Sequence, residues 1–173
     1  MILKYRIISG ESDDFVRDIE IFSDSTFLEL HQAIQTSCDY DSSMISTFYL
    51  SNDDWDKLQE IAETKMDEDT QSEIMMMEDT KLADLNPEKG QRLIYIYDFF
   101  SVRSFFMEIV NIRDKSSEDE NLEFPICTLS HGKAPKQMFI DDSIPDNFED
   151  EDPEDFFDNP EEFGFDNIDD YDI

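Results

Sequence analysis

Apolar and polar residues alternate along Ile2–Ser9, with Leu3, Tyr5 and Ile7 on one side and Lys4 and Arg6 on the other, which predicts a half-buried β-strand. Gly10-Glu11-Ser12-Asp13-Asp14 has the composition of a turn, and Val16-Arg17-Asp18-Ile19-Glu20-Ile21 reads as a second strand. So short a connection makes an antiparallel hairpin the simplest arrangement. The period then lengthens to that of a helix. Phe27, Leu30, Ala33 and Ile34 share one face, and Thr26 followed three residues later by Glu29 fits a capping box, so a helix is expected over residues 26–37.

Residues 45–50 read as a strand, and Asn52-Asp53-Asp54 turns the chain toward Trp55. The pattern is least regular over residues 56–78, which hold Ile61, Met66 and Ile74-Met75-Met76-Met77 and read as an insertion of weak strands or helical turns. A short helix follows over 79–85, closed by Asn86-Pro87 and Gly90. Residues 91–99 and 102–112, rich in Ile, Tyr, Phe and Val, are predicted as paired strands. After a charged loop over 113–121, residues 123–129 supply a last strand, with Pro125 placing it at an edge or falling among its first residues. The order predicts an α+β domain over residues 1–137, a mixed or antiparallel sheet packed on one main helix. Hairpin, capped helix and a later short helix feeding a strand give a β-grasp-like order, a topological likeness that says nothing about function.

Charge divides the chain in a second way. The net charge is −32 over 173 residues, and residues 141–173 contribute half of it, with sixteen acidic side chains and neither Lys nor Arg. Residues 138–173 therefore read as an acidic tail. Phe148, Phe156, Phe157, Phe163, Phe165, Ile168 and Tyr171 punctuate its acids, and Pro153-Glu154-Asp155-Phe156 is loosely repeated in Pro160-Glu161-Glu162-Phe163. A purely solubilising tail needs no aromatics, whereas acidic-aromatic alternation suits a docking segment for a partner with a basic, grooved surface. The alternative is that these rings pack on the tail's own domain. So negative a chain is ill suited to binding nucleic acid or anionic membranes, both of which require Lys and Arg. The first residues are too charged for a signal peptide and no apolar run is long enough to span a bilayer, so a cytoplasmic protein is expected. Cys38 and Cys127, without metal-site spacing, are expected as reduced and mostly buried thiols.

Three local patterns stand out: Ile94-Tyr95-Ile96-Tyr97-Asp98-Phe99 in a predicted strand, Leu30-His31 on the first helix, and Phe124-Pro125-Ile126-Cys127 followed by Gly132, Ala134 and Pro135. Together they resemble the plasmid ORF-3-like family first noted on an Ri plasmid, which has a Tyr-x-Tyr-Asp-Phe strand, a Leu-His shortly after its second strand and an aromatic-Pro segment leading into a Gly and Pro turn. The resemblance spans residues 1–137. The family usually continues with Gly-Asp and then a Trp and a His at alternating positions, where this chain has Phe100, Ser101, Arg103 and Phe105. Membership implies a fold more than an activity.

The candidate chemistry is sparse. His31 reads as a histidine on the helix surface or partly buried there, and His131 lies in a Gly-containing loop beside Cys127. Asp98, between Tyr97 and Phe99, is either a buried carboxylate marking a site or a strand-end Asp that accepts hydrogen bonds from a turn, with Arg17 and Arg103 as candidate partners. Met75-Met76-Met77 is expected to fill core rather than face a partner. No nucleotide loop, nucleophile elbow or metalloprotease motif is present, and no cofactor or metal is expected. The leading expectation is a non-enzymatic interaction or adaptor protein, with Arg17, Tyr97, Phe99, His131, Phe156, Phe157, Phe163 and Phe165 as binding candidates. Alternatives are a hydrolase or metal-dependent enzyme using Asp98, Glu108 and His131, and an acidic mimic of nucleic acid that binds a basic protein.

Overall fold

The computed structural model describes residues 1–65 and 74–138. Among them, eight strands form one mixed sheet covered on one face by a single α-helix, the α+β arrangement expected. The strands are β1 (Ile2–Ser9), β2 (Val16–Phe22), β3 (Thr47–Ser51), β4 (Lys57–Ala62), β5 (Met75–Met76), β6 (Arg92–Asp98), β7 (Arg103–Arg113) and β8 (Ile126–His131), and the helix is α1 (Phe27–Cys38). They lie side by side as β5-β4-β3-β6-β7-β1-β2-β8; β4 and β5 are parallel and every other neighbouring pair antiparallel.

The hairpin of β1 and β2 forms as expected, Tyr5 facing Ile19 and Arg6 facing Asp18. Leu3, Tyr5 and Ile7 are buried toward the helix, as their alternation predicts. Thr26 caps α1: its hydroxyl accepts from the Glu29 amide at 3.3 Å, and the Glu29 carboxylate accepts from the Thr26 amide at 2.8 Å. Phe27, Leu30, His31, Ile34 and Gln35 are buried beneath the helix, and Asp39 ends it in the left-handed conformation.

Aromatic rings form the centre of the core. Phe48 lies between Phe27 at 5.3 Å and Tyr95 at 4.8 Å, and Phe105 stacks on Phe15 at 4.8 Å and lies tilted against Tyr97 at 4.5 Å. Tyr95, Tyr97 and Phe105 are fully buried because β6 and β7 occupy the middle of the sheet and their alternate residues all point at α1.

The irregular stretch is partly sheet. Lys57–Ala62 pairs with β3 as a hairpin strand that the sequence pattern did not separate from its surroundings, and Met75–Met76 adds a short parallel strand. Met77 is buried in the core. Residues 79–85 yield only a 3-10 turn, Leu82–Leu85, with Asn86 left-handed after it. β6 ends at Asp98, one residue short of the expected strand, so Phe99 lies in the turn and is 38% exposed. β8 begins one residue after Pro125 and lies at the sheet edge, as the proline requires. Both thiols are free, but only Cys38 is buried; Cys127 is exposed because it lies on this edge strand, which corrects the expectation of two buried thiols.

Candidate functional site

Arg17 points from β2 toward the end of α1 and is 5% exposed. Its Nε donates to the Ser37 carbonyl at 3.1 Å, Nη1 to the Val16 and His131 carbonyls at 2.9 and 2.6 Å, and Nη2 to the Gly132 carbonyl at 3.0 Å. One guanidinium thus ties together β2, the last turn of α1 and the end of β8. Gly132 has φ +69, and its α-carbon passes so near residue 14 that an added Cβ would lie 2.2 Å from the Asp14 carbonyl oxygen. Only glycine meets both conditions.

Beyond Gly132 the chain crosses the same end of the sheet as a strap. Tyr40 donates to the Pro135 carbonyl at 2.6 Å, Arg103 Nη1 to the Lys136 carbonyl at 2.7 Å, and Asp41 and Gln137 exchange two hydrogen bonds at 2.7 and 2.9 Å. Arg103 also grips Glu11 with paired bonds of 2.7 and 2.6 Å, lies 5.2 Å above the Tyr97 ring and comes within 3.8 Å of Asp98. The hydrogen bond from Arg103 holds the Glu11 carboxyl below its usual range, against an opposing effect of burial. Burial raises the phenols of Tyr40 and Tyr97, so both stay neutral donors. Between strap and helix end lies a groove of about 450 Å³ bordered by Arg17, Cys38, Tyr40, Lys133 and Lys136.

Arg17 and Tyr97 therefore border one end of the domain, and among the described residues His131 joins them through its main-chain carbonyl alone. The three residues named for an enzyme site do not come together. Asp98 is 3% exposed and accepts from the Phe100 and Ser101 amides, both at 3.2 Å, so it fastens the turn after β6. Its ion-pair neighbour is Arg103; Arg17 is committed to carbonyls. Glu108 pairs with Arg92 at 3.3 Å, at the opposite end of β6, roughly 20 Å away along the strand. His131, the last residue of β8, faces Val16 of β2, and β2, β1 and β7 separate β8 from β6, about 19 Å across four strand spacings. Phe156, Phe157, Phe163 and Phe165 lie outside the described residues. No cluster of three or more His, Cys, Asp or Glu is placed to hold a metal among the described residues.

A buried polar chain was not anticipated. Of the two readings of His31, on the helix surface or partly buried and satisfied, the structure favours the second: it is 2% exposed, its Nδ1 2.9 Å from the Tyr95 hydroxyl, which also reaches Ser46 Oγ at 3.2 Å. Glu63 accepts from the Ser46 amide at 3.3 Å and approaches His31 Nε2 to 3.8 Å. Burial lowers the His31 pKa, partly opposed by Glu63. The pairing of His31 with Tyr95 joins two of the sequence motifs; Ser46 and Glu63 carried no signal, since their roles arise from β3 and β4 crossing the helix.

The family model of the plasmid pRiA4b ORF-3-like protein matches residues 5–138. Among solved structures, the chain is similar to the protein of unknown function MM3350 from Methanosarcina mazei Go1, with 25% identity over 75% of this chain and 68% of that chain and a TM-score of 0.57. No curated protein matches the sequence. No helix among the described residues is long and apolar enough to cross a membrane.

Proposed function

We propose that this chain, which belongs to the plasmid pRiA4b ORF-3-like family, is a non-enzymatic interaction or adaptor module whose acidic, aromatic-studded C-terminal segment engages a protein with a basic surface. The observation that carries the reading is the strap. Residues 131–137 are fastened by Arg17, Tyr40 and Arg103 through their main-chain carbonyls, so the polar groups at this end of the domain serve to hold the chain immediately before the acidic residues begin. Sixteen carboxylates in residues 141–173, interrupted by phenylalanines, supply charge for steering and rings for contact. The β-grasp-like reading rests on the order β1, β2, α1; in the sheet, β7 lies between β1 and β6 and runs antiparallel to both. A cytoplasmic setting belongs to the same proposal.

Pull-downs with the full chain and with a truncation after Ile140 test it. The full chain should retain basic partners that the truncation loses, and raising the salt should release them. Identical partner sets for the two proteins would remove the tail from the function.

A further inference from the structure

Four of the five arginines, Arg6, Arg92, Arg103 and Arg113, lie within ion-pair distance of a carboxylate. Arg17 has no such partner among the described residues. Its four hydrogen bonds go to neutral carbonyls, and a guanidinium has five N–H groups, so among the described residues one on Nη2 is left over. Lys133 and Lys136 border the same groove, both exposed and neither in an ion pair among the described residues. Asp39 is the one carboxylate on its wall. Three cations against one anion make this groove locally positive in a chain of net charge −32.

The end of a helix ordinarily repels anions through its free carbonyls. Here three of the last four carbonyls already have donors: that of Ser37 accepts from Arg17, those of Gln35 and Thr36 from the amides of Tyr40 and Asp39. Tyr40, Ala134 and Pro135 give the groove an apolar side, and its 450 Å³ is the size of a small-molecule site. A surplus of two positive charges matches a phosphate monoester, which carries about −1.5 to −2 at pH 7; a carboxylate would neutralise only one.

We propose that this groove binds a small molecule bearing a phosphate monoester, the dianion between Arg17 and the two lysines and the organic part against Tyr40 and Pro135. This site is independent of the tail reading. Titration of the full chain with phenyl phosphate at fixed ionic strength, followed by calorimetry and by amide NMR shifts, tests it. Phenyl phosphate should bind saturably, shift the amides of residues 132–137, and bind roughly tenfold more tightly than benzoate. The double variant Lys133→Gln, Lys136→Gln should weaken it by about tenfold. Because both lysines are exposed, its urea midpoint should match that of the parent chain. Absence of saturable binding, shifts confined to other residues, or unchanged affinity in the double variant would overturn the site. Equal binding of benzoate would overturn its assignment to phosphate.

Discussion

Nδ1 of His31 and the phenolic oxygen of Tyr95 lie 2.9 Å apart in the core between α1 and β6. The same hydroxyl reaches Ser46 Oγ at 3.2 Å, so a single oxygen links the helix to β6 and to the residue that leads into β3. Tyr95→Phe keeps the ring packed against Phe48 and removes that oxygen. A buried polar group left without its partner costs about 1–3 kcal/mol, and urea unfolding should show a loss of that size. A change below about 0.5 kcal/mol would mean that His31 and Ser46 find other partners.

The same pair predicts a pH dependence. Burial holds the folded-state pKa of His31 below its ordinary 6.5, so the unfolded chain takes up a proton there more readily than the folded one. Stability from this group is therefore complete above pH 6.5 and is lost as pH falls from 6.5 toward the lowered value. The whole chain's negative charge acts in the opposite sense, since protonating carboxylates relieves repulsion, so the comparison has to be made with His31→Gln. Between pH 7.5 and 5.5 the urea midpoint of the parent chain should fall relative to that of the variant. Parallel midpoints would place the His31 titration at its ordinary value.

Much of this fold was legible in the sequence because two-residue and helical periods are written by side chains that face one side of one element. The β1–β2 hairpin, the Thr26 cap and the β6–β7 pair follow from local pattern alone. β4 escaped because Lys57-Leu58-Gln59-Glu60 shows little alternation, and its strand character comes from pairing with β3. The polar arrangement at the strap was less legible still. Glu11 read only as one acid of a turn, and Arg17 and Arg103 both as candidate partners for Asp98; Arg103 takes both carboxylates because β6, β7 and the β1–β2 turn meet at one end of the sheet. Such convergence between distant segments leaves no periodic trace.

Arg103 is the clasp of that arrangement. Lysine can keep its charge but cannot form the paired bonds to Glu11 while also reaching the Lys136 carbonyl. Arg103→Lys should lower stability at pH 7 by about 1–3 kcal/mol. The Glu11 pKa is depressed in the folded chain, so its contribution is present above about pH 4.5, the ordinary value, and fades as pH falls through the lowered one. The gap between parent and variant should accordingly narrow in acid. A gap that persists there would assign the loss to the carbonyl bond and to packing over Tyr97.

Gly132→Ala sets a methyl group against main chain rather than against a movable side chain. With the Asp14 carbonyl oxygen 2.2 Å from the added carbon and φ at +69, the end of β8 has to move, and the Arg17 bond to Gly132 moves with it. The expected cost exceeds about 1 kcal/mol. Hydrogen exchange should locate it: amides pairing β2 with β8 lose protection while those pairing β1 with β7 keep theirs. Uniform loss across the sheet would show that β8 unfolds only with the whole domain.

Val102 presents the reverse case, a residue whose replacement by glycine should stabilise. It closes the turn between β6 and β7 at φ +53, a conformation that a β-branched side chain adopts only under strain of order 1–3 kcal/mol. The side chain is 59% exposed, so little packing is lost with it. Glycine adopts the angle freely but gives the unfolded chain more freedom, which offsets roughly 0.5–1 kcal/mol of the relief. Val102→Gly should therefore gain about 1 kcal/mol, read as a rise of roughly 2–4 °C in Tm. The turn is otherwise fixed by the Asp98 carboxylate receiving the Phe100 and Ser101 amides, so the gain should vanish in an Asp98→Ala background, where no fixed turn remains to impose the angle. A gain that survives there would locate the strain in the Val102 backbone independently of the Asp98 clasp.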